Sequence, residues 1–201
     1  MHRTAALRWL APLVLTMACD AEPEDPTLST RVAVGTVEGT DIVLGALIDG
    51  DELAIYQCGG DTTFASHTGW FRGRFGAGDD TDAFELVLDD LRLEGLRDAD
   101  GLEGELVEAD GTRHDFRLDP VADDAEAGVY TVAEGDVSVG VVVRTDGDAV
   151  VAQGAACEGR LPCTQVIILA PVTIADERID VSFTTSSGLS EAQVTRTFTA
   201  P

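Results

Sequence analysis

The chain has 201 residues, and its 13 Lys and Arg residues stand against 37 Asp and Glu residues, for a formal net charge of -24. A chain of this length forms one ordinary domain whose core does not depend on a metal or a disulfide framework. The negative charge excludes a nucleic acid as a partner, because binding to a phosphate backbone relies on Lys and Arg. All 13 basic residues are arginine, which excludes lysine-based catalysis.

The chain begins with a basic and then apolar segment. Arg3 and Arg8 precede an apolar run from Trp9 to Leu15, and Cys19 follows the small residue Ala18. The run is shorter than the roughly 20 residues that a membrane-spanning helix needs. Residues 1–18 are therefore predicted to be a signal peptide for export.

Residues 15–19, Leu-Thr-Met-Ala-Cys, resemble the lipobox of bacterial lipoproteins, with Thr16 where that family usually has leucine. The resemblance implies that Cys19 is acylated and holds the protein to a membrane of the cell envelope, on a leaflet that the sequence leaves open. Ordinary secretion with cleavage after Ala18 is the alternative. Residues 19–30 are acidic and contain two prolines, which is typical of an extended tether.

Short alternating runs and Asp-Gly pairs organise the rest of the chain. Asp-Gly favours tight hairpin turns because both residues tolerate a positive φ, and the pairs stand at 49–50, 100–101, 110–111 and 146–147. Residues 83–88 and 112–118 alternate with a period of two, which predicts strands. Further strands are predicted at 41–48, 52–58, 69–75, 91–96, 102–107, 128–132, 137–144, 149–153, 165–170, 179–184 and 193–199. Residues 122–127 are predicted to form a loop.

This pattern predicts an all-β fold, an antiparallel up-and-down meander that closes like a barrel, with a β-sandwich as the alternative. Residues 31–201 then form a single β domain. The runs 42–48 and 166–170 are apolar without alternation, and such strands are usually covered on both faces. Residues 157–201 are therefore predicted to be a C-terminal strand extension that packs across the outside of the N-terminal strands.

The stretch 45–60, G-A-L-I-D-G-D-E-L-A-I-Y-Q-C-G-G, is followed by Trp-Phe-Arg-Gly at 70–73. Within residues 36–153 this order is similar to a meander of small exported proteins from GC-rich bacteria. The resemblance implies an exported β domain and no particular activity.

Three cysteines remain beyond the anchor. An oxidising envelope favours at least one disulfide, and Cys157 with Cys163 closes a small loop. A bond from Cys58 to either of them is the alternative. If Cys19 is acylated and the small loop closes, Cys58 is left as a free thiol.

Two kinds of binding site are predicted. The loop at 59–70 carries Phe64, His67 and Trp70, and it is the best candidate for a recognition surface because loops and aromatic side chains often bind partners. A loop that covers a barrel mouth explains the same residues. The weak calcium candidates are acidic residues two apart in loops, although Asp and Gly also simply form turns; they are Asp79, Asp80, Asp82, Asp98 and Asp100. No other cofactor is expected, and the cysteine spacing does not fit a zinc knuckle.

The chain contains no nucleophile elbow and no Walker, Rossmann or zinc-protease motif. The expected function is therefore a non-enzymatic binding or envelope-surface module, attached to the membrane by its lipid, with a protein or small-molecule partner that the sequence does not name. The alternative is a carrier with an apolar cavity, lined by Phe84, Leu86, Phe116 and Leu118. A hydrolase ranks third, and it requires a concave site where His67 or His114 meets a carboxylate and a hydroxyl.

Overall fold

The computed structural model describes residues 31–76 and 82–198, and every regular element in these two stretches is a β-strand. Within these described residues there is no helix that is long and apolar enough to cross a membrane. The strands are β1 (Arg31–Val37), β2 (Val43–Asp49), β3 (Glu52–Cys58), β4 (Thr68–Arg74), β5 (Ala83–Leu88), β6 (Leu91–Asp98), β7 (Gly101–Val107), β8 (Arg113–Pro120), β9 (Gly128–Glu134), β10 (Val137–Asp146), β11 (Ala149–Glu158), β12 (Thr164–Gln165), β13 (Arg178–Thr185) and β14 (Gly188–Thr197).

The first sheet is an eight-stranded antiparallel meander that closes on itself. Its order is β4-β3-β2-β1-β8-β7-β6-β5, so that strands adjacent in sequence are adjacent in space. The two end strands also meet, because Phe75 forms an antiparallel bridge with Phe84 and the Gly76 N–H donates to the Ala83 carbonyl at 2.8 Å. Closure removes the open edges of the sheet. The predicted all-β, barrel-like fold is confirmed.

All four Asp-Gly pairs lie at hairpin turns, which connect β2 to β3, β6 to β7, β7 to β8, and β10 to β11. The glycines of these pairs adopt positive φ values, 61° at Gly50 and 60° at Gly147. A side chain with a Cβ adopts this conformation only at a cost. The turn chemistry of the sequence therefore fixes the strand boundaries.

Side chains of the strands themselves fill the barrel. The Phe84 ring lies 6.4 Å from the Phe116 ring and 5.9 Å from the Phe75 ring, measured between centroids. Leu86 and Leu118 belong to the same buried cluster, at 1% and 0% exposure. The four residues that would line an apolar cavity in a carrier are thus packed core residues.

The second sheet has six strands in the order β12-β11-β10-β9-β14-β13. It is nearly closed as well, because Ile167, just after β12, forms an antiparallel bridge with Ser182 of β13. The sheet curls around its own apolar cluster, whose fully buried members include Tyr130, Val141 and Val194. The protein therefore contains two barrel-like sheets, each with its own core.

A third apolar cluster joins the two sheets. It brings Val43 and Leu47 of β2 together with Val129 of β9 and Val142 of β10. Alternate residues of β2, such as Leu44, point the other way into the barrel core. The prediction that residues 42–48 are covered on both faces is confirmed.

The covering layer differs from the predicted one in its boundaries. Strands β9, β10 and β11 cover β1 to β3, so the cover begins near residue 128 and not at 157. The predicted strand at 165–170 is wrong: β12 ends at Gln165, and Leu169 is 80% exposed. Beyond β12 that segment has only a single isolated bridge, at Ile167, so it does not pair as a continuous strand and its side chains are not held in a sheet. Strand β1, in turn, lies where the sequence predicted none.

Candidate functional site at the barrel mouth

The loop at 59–67 folds across one end of the eight-stranded barrel. It is held by backbone hydrogen bonds from the Gly59 N–H to the His67 carbonyl (2.7 Å) and from the His67 N–H to the Thr63 carbonyl (2.9 Å). A Cβ added at Gly59 would lie 2.5 Å from the Thr63 carbonyl carbon, and one at Gly60 would lie 2.7 Å from the Asp41 carboxyl carbon. The two glycines therefore allow the loop to pack closely on itself and on the β1–β2 turn.

Asp41 fastens this loop to the barrel. Its carboxylate accepts hydrogen bonds from the Thr62 backbone N–H and from the Thr62 hydroxyl, both at 2.7 Å, and from the Thr63 hydroxyl. The two hydroxyl hydrogen bonds, followed by the backbone one, hold the pKa of Asp41 well below its usual range. Asp41 is thus ionised at neutral pH and has a structural role.

His67 enters the barrel from this loop. Phe71 of β4 faces the barrel core, and residues two apart on a strand share a face. His67 lies on the same side, just before β4, and is only 5% exposed. Its Nδ1 is 2.8 Å from the Ser66 Oγ, and its Nε2 is 3.3 Å from the Glu108 Oε1.

Glu108 and His114 reach the same point from another part of the wall, at the β7–β8 hairpin. The Glu108 Oε1 is 3.5 Å from the His114 Nε2, so one carboxylate oxygen contacts both imidazoles. Strands β4 and β8 are separated by three strands in the sheet order, so the two histidines come from opposite walls of the barrel. Glu108 and His114 are partly exposed, which places this contact at the mouth.

Gln57 lies deeper in the same barrel. Leu53 and Ile55 of the same strand face the barrel core, and Gln57 shares that face. The residue is 0% exposed, yet neither its Nε2 nor its Oε1 has a hydrogen-bond partner within the described residues. The His67 Nε2 is likewise buried without one in hydrogen-bond geometry, despite its short distance to Glu108. Such groups are rare in folded proteins and call for an explanation.

We refer to Gln57, Ser66, His67, Glu108 and His114 as the mouth cluster. The Ser66 hydroxyl donates to the Thr63 carbonyl at 3.3 Å. The Ser66 Oγ also lies 2.8 Å from the His67 Nδ1, and the donor in that contact depends on the tautomer of the imidazole. A serine nucleophile gives its proton to the imidazole.

The predicted recognition residues are not brought together on one surface. Phe64 and Trp70 are partly buried against the cluster between the sheets, and the Trp70 ring lies 5.0 Å from the Tyr56 ring. His67 points into the barrel instead. The loop therefore covers the barrel mouth, as in the alternative interpretation of the sequence.

The predicted disulfide is confirmed, since Cys157 is bonded to Cys163 and Cys58 is a free, buried thiol. Burial raises the pKa of Cys58 to about 12, against the opposing effect of neighbouring hydrogen bonds from Tyr56, Gln153 and Thr68. A thiol in this state is not a nucleophile at neutral pH, because the reactive form is the thiolate.

The predicted calcium groups do not converge within the described residues. Asp82 pairs with Arg97 at 2.9 Å, and the Asp98 carboxylate accepts the Asp100 backbone N–H at 2.8 Å, which stabilises its own turn. Asp79 and Asp80 lie outside the described residues, and so do Cys19 and the tether.

No protein-family model, no curated protein and no solved structure matches the chain. Ideas about function therefore depend on the geometry alone. Sequence analysis missed the mouth cluster, although its signal is present: Gln57, His67 and His114 each stand in phase with core residues of their strands. Only closure of the barrel turns these inner faces towards one another.

Proposed function

We propose that this chain is an exported, lipid-anchored protein whose β domain is a non-enzymatic binding module, with the mouth cluster as its binding site. The observation that carries the proposal is the pair of buried groups without hydrogen bonds, the Gln57 amide and the His67 Nε2. Leaving a buried polar group unsatisfied costs about 1–3 kcal/mol. A ligand that bonds to these groups explains why they are kept in an otherwise apolar barrel.

The chemistry of the mouth cluster favours a small polar ligand over an apolar one. The barrel interior is filled with aromatic and aliphatic side chains, which leaves the mouth as the place for a ligand. There the chain offers two imidazoles and one carboxylate, and the Gln57 amide lies deeper on the inner face of the barrel. A few convergent polar groups of this kind set the specificity of small-molecule sites.

The hydrogen bonds at the mouth argue against a hydrolase, although His67 does meet a hydroxyl and a carboxylate. The Ser66 hydroxyl has two acceptors within reach, the Thr63 carbonyl at 3.3 Å and the His67 Nδ1 at 2.8 Å, so its proton is not committed to the imidazole. A fluorophosphonate probe, which reacts with activated serines, is therefore expected to leave Ser66 unlabelled. Labelling that disappears in Ser66→Ala would contradict the non-enzymatic proposal.

The anchor is supported by residues 15–19 and by the Cys157–Cys163 bond, which fits an oxidising compartment. The test is to grow cells that express the full chain with an alkyne fatty acid and to detect the label on the protein. We expect Cys19→Ser to remove the label and Cys58→Ser to retain it. Label that survives Cys19→Ser, or that the original chain never acquires, would overturn the anchor.

Binding is tested by native mass spectrometry of the full chain with Cys19→Ser, exported to a bacterial periplasm and purified without chelator or reductant. The proposal predicts a bound mass that is lost in Glu108→Gln. The matched control is Glu103→Gln, since Glu103 is an exposed carboxylate of β7 on the outer face. A bare protein mass, or a bound mass that all variants share, would contradict a site at the mouth.

A further inference from the structure

We propose that the second sheet contacts the surface of a lipid bilayer through the exposed side chains of Ile167, Leu169 and Leu189, which we call the apolar patch. This inference rests on the lipid anchor proposed above and gives the anchored domain a second contact with its membrane. The apolar patch belongs to the six-stranded sheet, whereas the mouth cluster belongs to the eight-stranded barrel. The two surfaces are therefore tested separately.

The side chains of the apolar patch are strongly exposed for aliphatic groups. Leu169 is 80% exposed, Leu189 is 71% exposed and Ile167 is 55% exposed. Single exposed aliphatic residues are ordinary on a protein surface. A group of them on one surface marks a contact with a protein or with a membrane.

The fold places Ile167 and Leu189 on one face, on either side of β13. Ile167 forms an antiparallel bridge with Ser182, and Leu189 of β14 pairs with Thr184. Residues two apart on a strand share a face, and directly paired residues point to the same side of a sheet. This is the outer face, because Val181, between the two β13 positions, is buried in the core of the second sheet.

Leu169 extends the same face along the segment that follows β12. Val166 is buried, and Ile168 packs against the core of the second sheet. Ile167 and Leu169, which alternate with them, point away from that core and are exposed. The exposed aliphatic groups are thus held in place by buried neighbours in the same segment.

The charge distribution favours a bilayer with uncharged headgroups as the occupant of this face. One residue in four of the chain is charged, yet residues 161–175 contain no Asp, Glu, Lys or Arg, which makes them the longest uncharged stretch of the sequence. The acidic remainder is repelled by anionic lipids. Arg178, Asp180 and Glu191 are exposed on β13 and β14, so the contact is shallow, at the boundary between headgroups and acyl chains.

The tether enters the domain at the far end of β14 from the patch. Arg31, the first residue of β1, pairs with Ile48 of β2. The two neighbours of Ile48 line a cavity together with Phe198, the residue that follows β14. The start of the domain and the end of β14 therefore lie in the same region.

The tether is long enough for the anchor and the apolar patch to meet one membrane. From Phe198 back to Leu189 the chain covers about 30 Å in extended conformation. The eleven residues from Asp20 to Thr30 span about 36–40 Å when fully extended. An anchored domain is also held at a high effective concentration beside the bilayer, so contact by three side chains is sufficient.

The experiment uses the full chain, acylated in cells, purified in detergent and reconstituted into phosphatidylcholine vesicles. Vesicles with bromine atoms on the acyl chains quench tryptophan that touches the bilayer. Leu169→Trp is expected to lose most of its added emission in brominated vesicles. The matched control is Val87→Trp, at a position of β5 that is 60% exposed, and it should keep its emission. The original chain, with Trp70 as its one tryptophan after residue 18, supplies the background.

Flotation of the vesicles separates the anchor from the apolar patch. If Leu169→Trp floats with the vesicles but is quenched no more than Val87→Trp, the membrane contact is wrong and the anchor stands. A chain that does not float shows that the anchor is wrong, and the membrane contact falls with it. Because Leu169 is exposed, its variant is expected to fold, and its unfolding curve verifies this.

A second copy of the chain is the other occupant that the apolar patch could take. Sedimentation of the full chain carrying Cys19→Ser tests this in the absence of lipid. The membrane proposal predicts a monomer, with or without Leu169→Ser. A dimer that Leu169→Ser dissociates would assign the patch to an interface between copies and would overturn the membrane contact.

Discussion

The Asp41 carboxylate is the anchor of the loop at 59–67, through hydrogen bonds from Thr62 and Thr63. We expect Asp41→Ala to lower the free energy of unfolding by about 1–2 kcal/mol, because the charged acceptor is lost. Urea unfolding measures this change. The matched control is Asp61→Ala, an exposed carboxylate of the same loop, for which about 0.5 kcal/mol or less is expected.

The contribution of Asp41 depends on pH in a defined direction. Its pKa is lowered in the folded protein, so its stabilisation is complete above the unfolded value of about 3.9 and is lost as the pH falls towards the folded value. The difference between the original chain and Asp41→Ala should thus be constant near neutral pH and shrink below about pH 4. A difference that grows on acidification would contradict the assignment.

Burial lowers the reactivity of the Cys58 thiol. Its pKa is raised to about 12 by burial, so almost none of the thiol is ionised at pH 8. We expect a thiol reagent to label the native protein far more slowly than the protein unfolded in urea. Rapid labelling of the folded chain would show that Cys58 is accessible, contrary to its 0% exposure.

At the scale of elements, the disulfide closes the turn between β11 and β12. Cys157 and Cys163 are six residues apart, and closing so short a loop stabilises a protein by about 2 kcal/mol on the loop-entropy account. We expect the double variant Cys157→Ser, Cys163→Ser to lose about that much in urea unfolding. An unchanged midpoint and slope would mean that the bond does not contribute to stability.

The strands show which elements a sequence alone can predict. Strands β3 and β5 begin and end where the apolar alternation and the Asp-Gly turn placed them. The run from Val166 to Ala170 has equally apolar side chains, but only Val166 is buried. Alternation predicts a strand because one of its faces packs on a core. An apolar run without alternation does not show which of its side chains are buried.

At the scale of the molecule, the two sheets pack so closely that glycine is required between them. A Cβ on Gly140 of β10 would lie 2.7 Å from the Tyr56 ring, and the Tyr56 hydroxyl donates to the Gly140 carbonyl at 3.2 Å. Gly140→Ala is therefore expected to lower the free energy of unfolding by about 1–3 kcal/mol.

The control for that variant is Ser138→Ala, an exposed position of the same strand, which should change stability by about 0.5 kcal/mol or less. Thermal unfolding by circular dichroism measures both. If Gly140→Ala is as stable as its control, the close contact between the sheets is not rigid.

The candidate site belongs to this largest scale, which explains why the sequence did not predict it. The sequence predicts a recognition loop around His67 and a strand at 112–118 around His114, and each prediction describes its own segment. Their shared contact with Glu108 exists only because β4 and β8 stand on opposite walls of a closed barrel. The local alternation of apolar residues predicts which face of a strand each residue lies on, but it does not predict that the sheet closes into a barrel.

The most direct test of a binding site at the barrel mouth is the free energy of unfolding of Gln57→Leu, measured in urea after removal of bound ligands. Leucine replaces an unpartnered amide, at 0% exposure, by an apolar group of similar size. If Gln57 is retained for a ligand, the variant should be more stable than the original chain, by about 1–3 kcal/mol. A variant that is less stable would show that the Gln57 amide supports the fold itself, and it would contradict a binding site at the mouth.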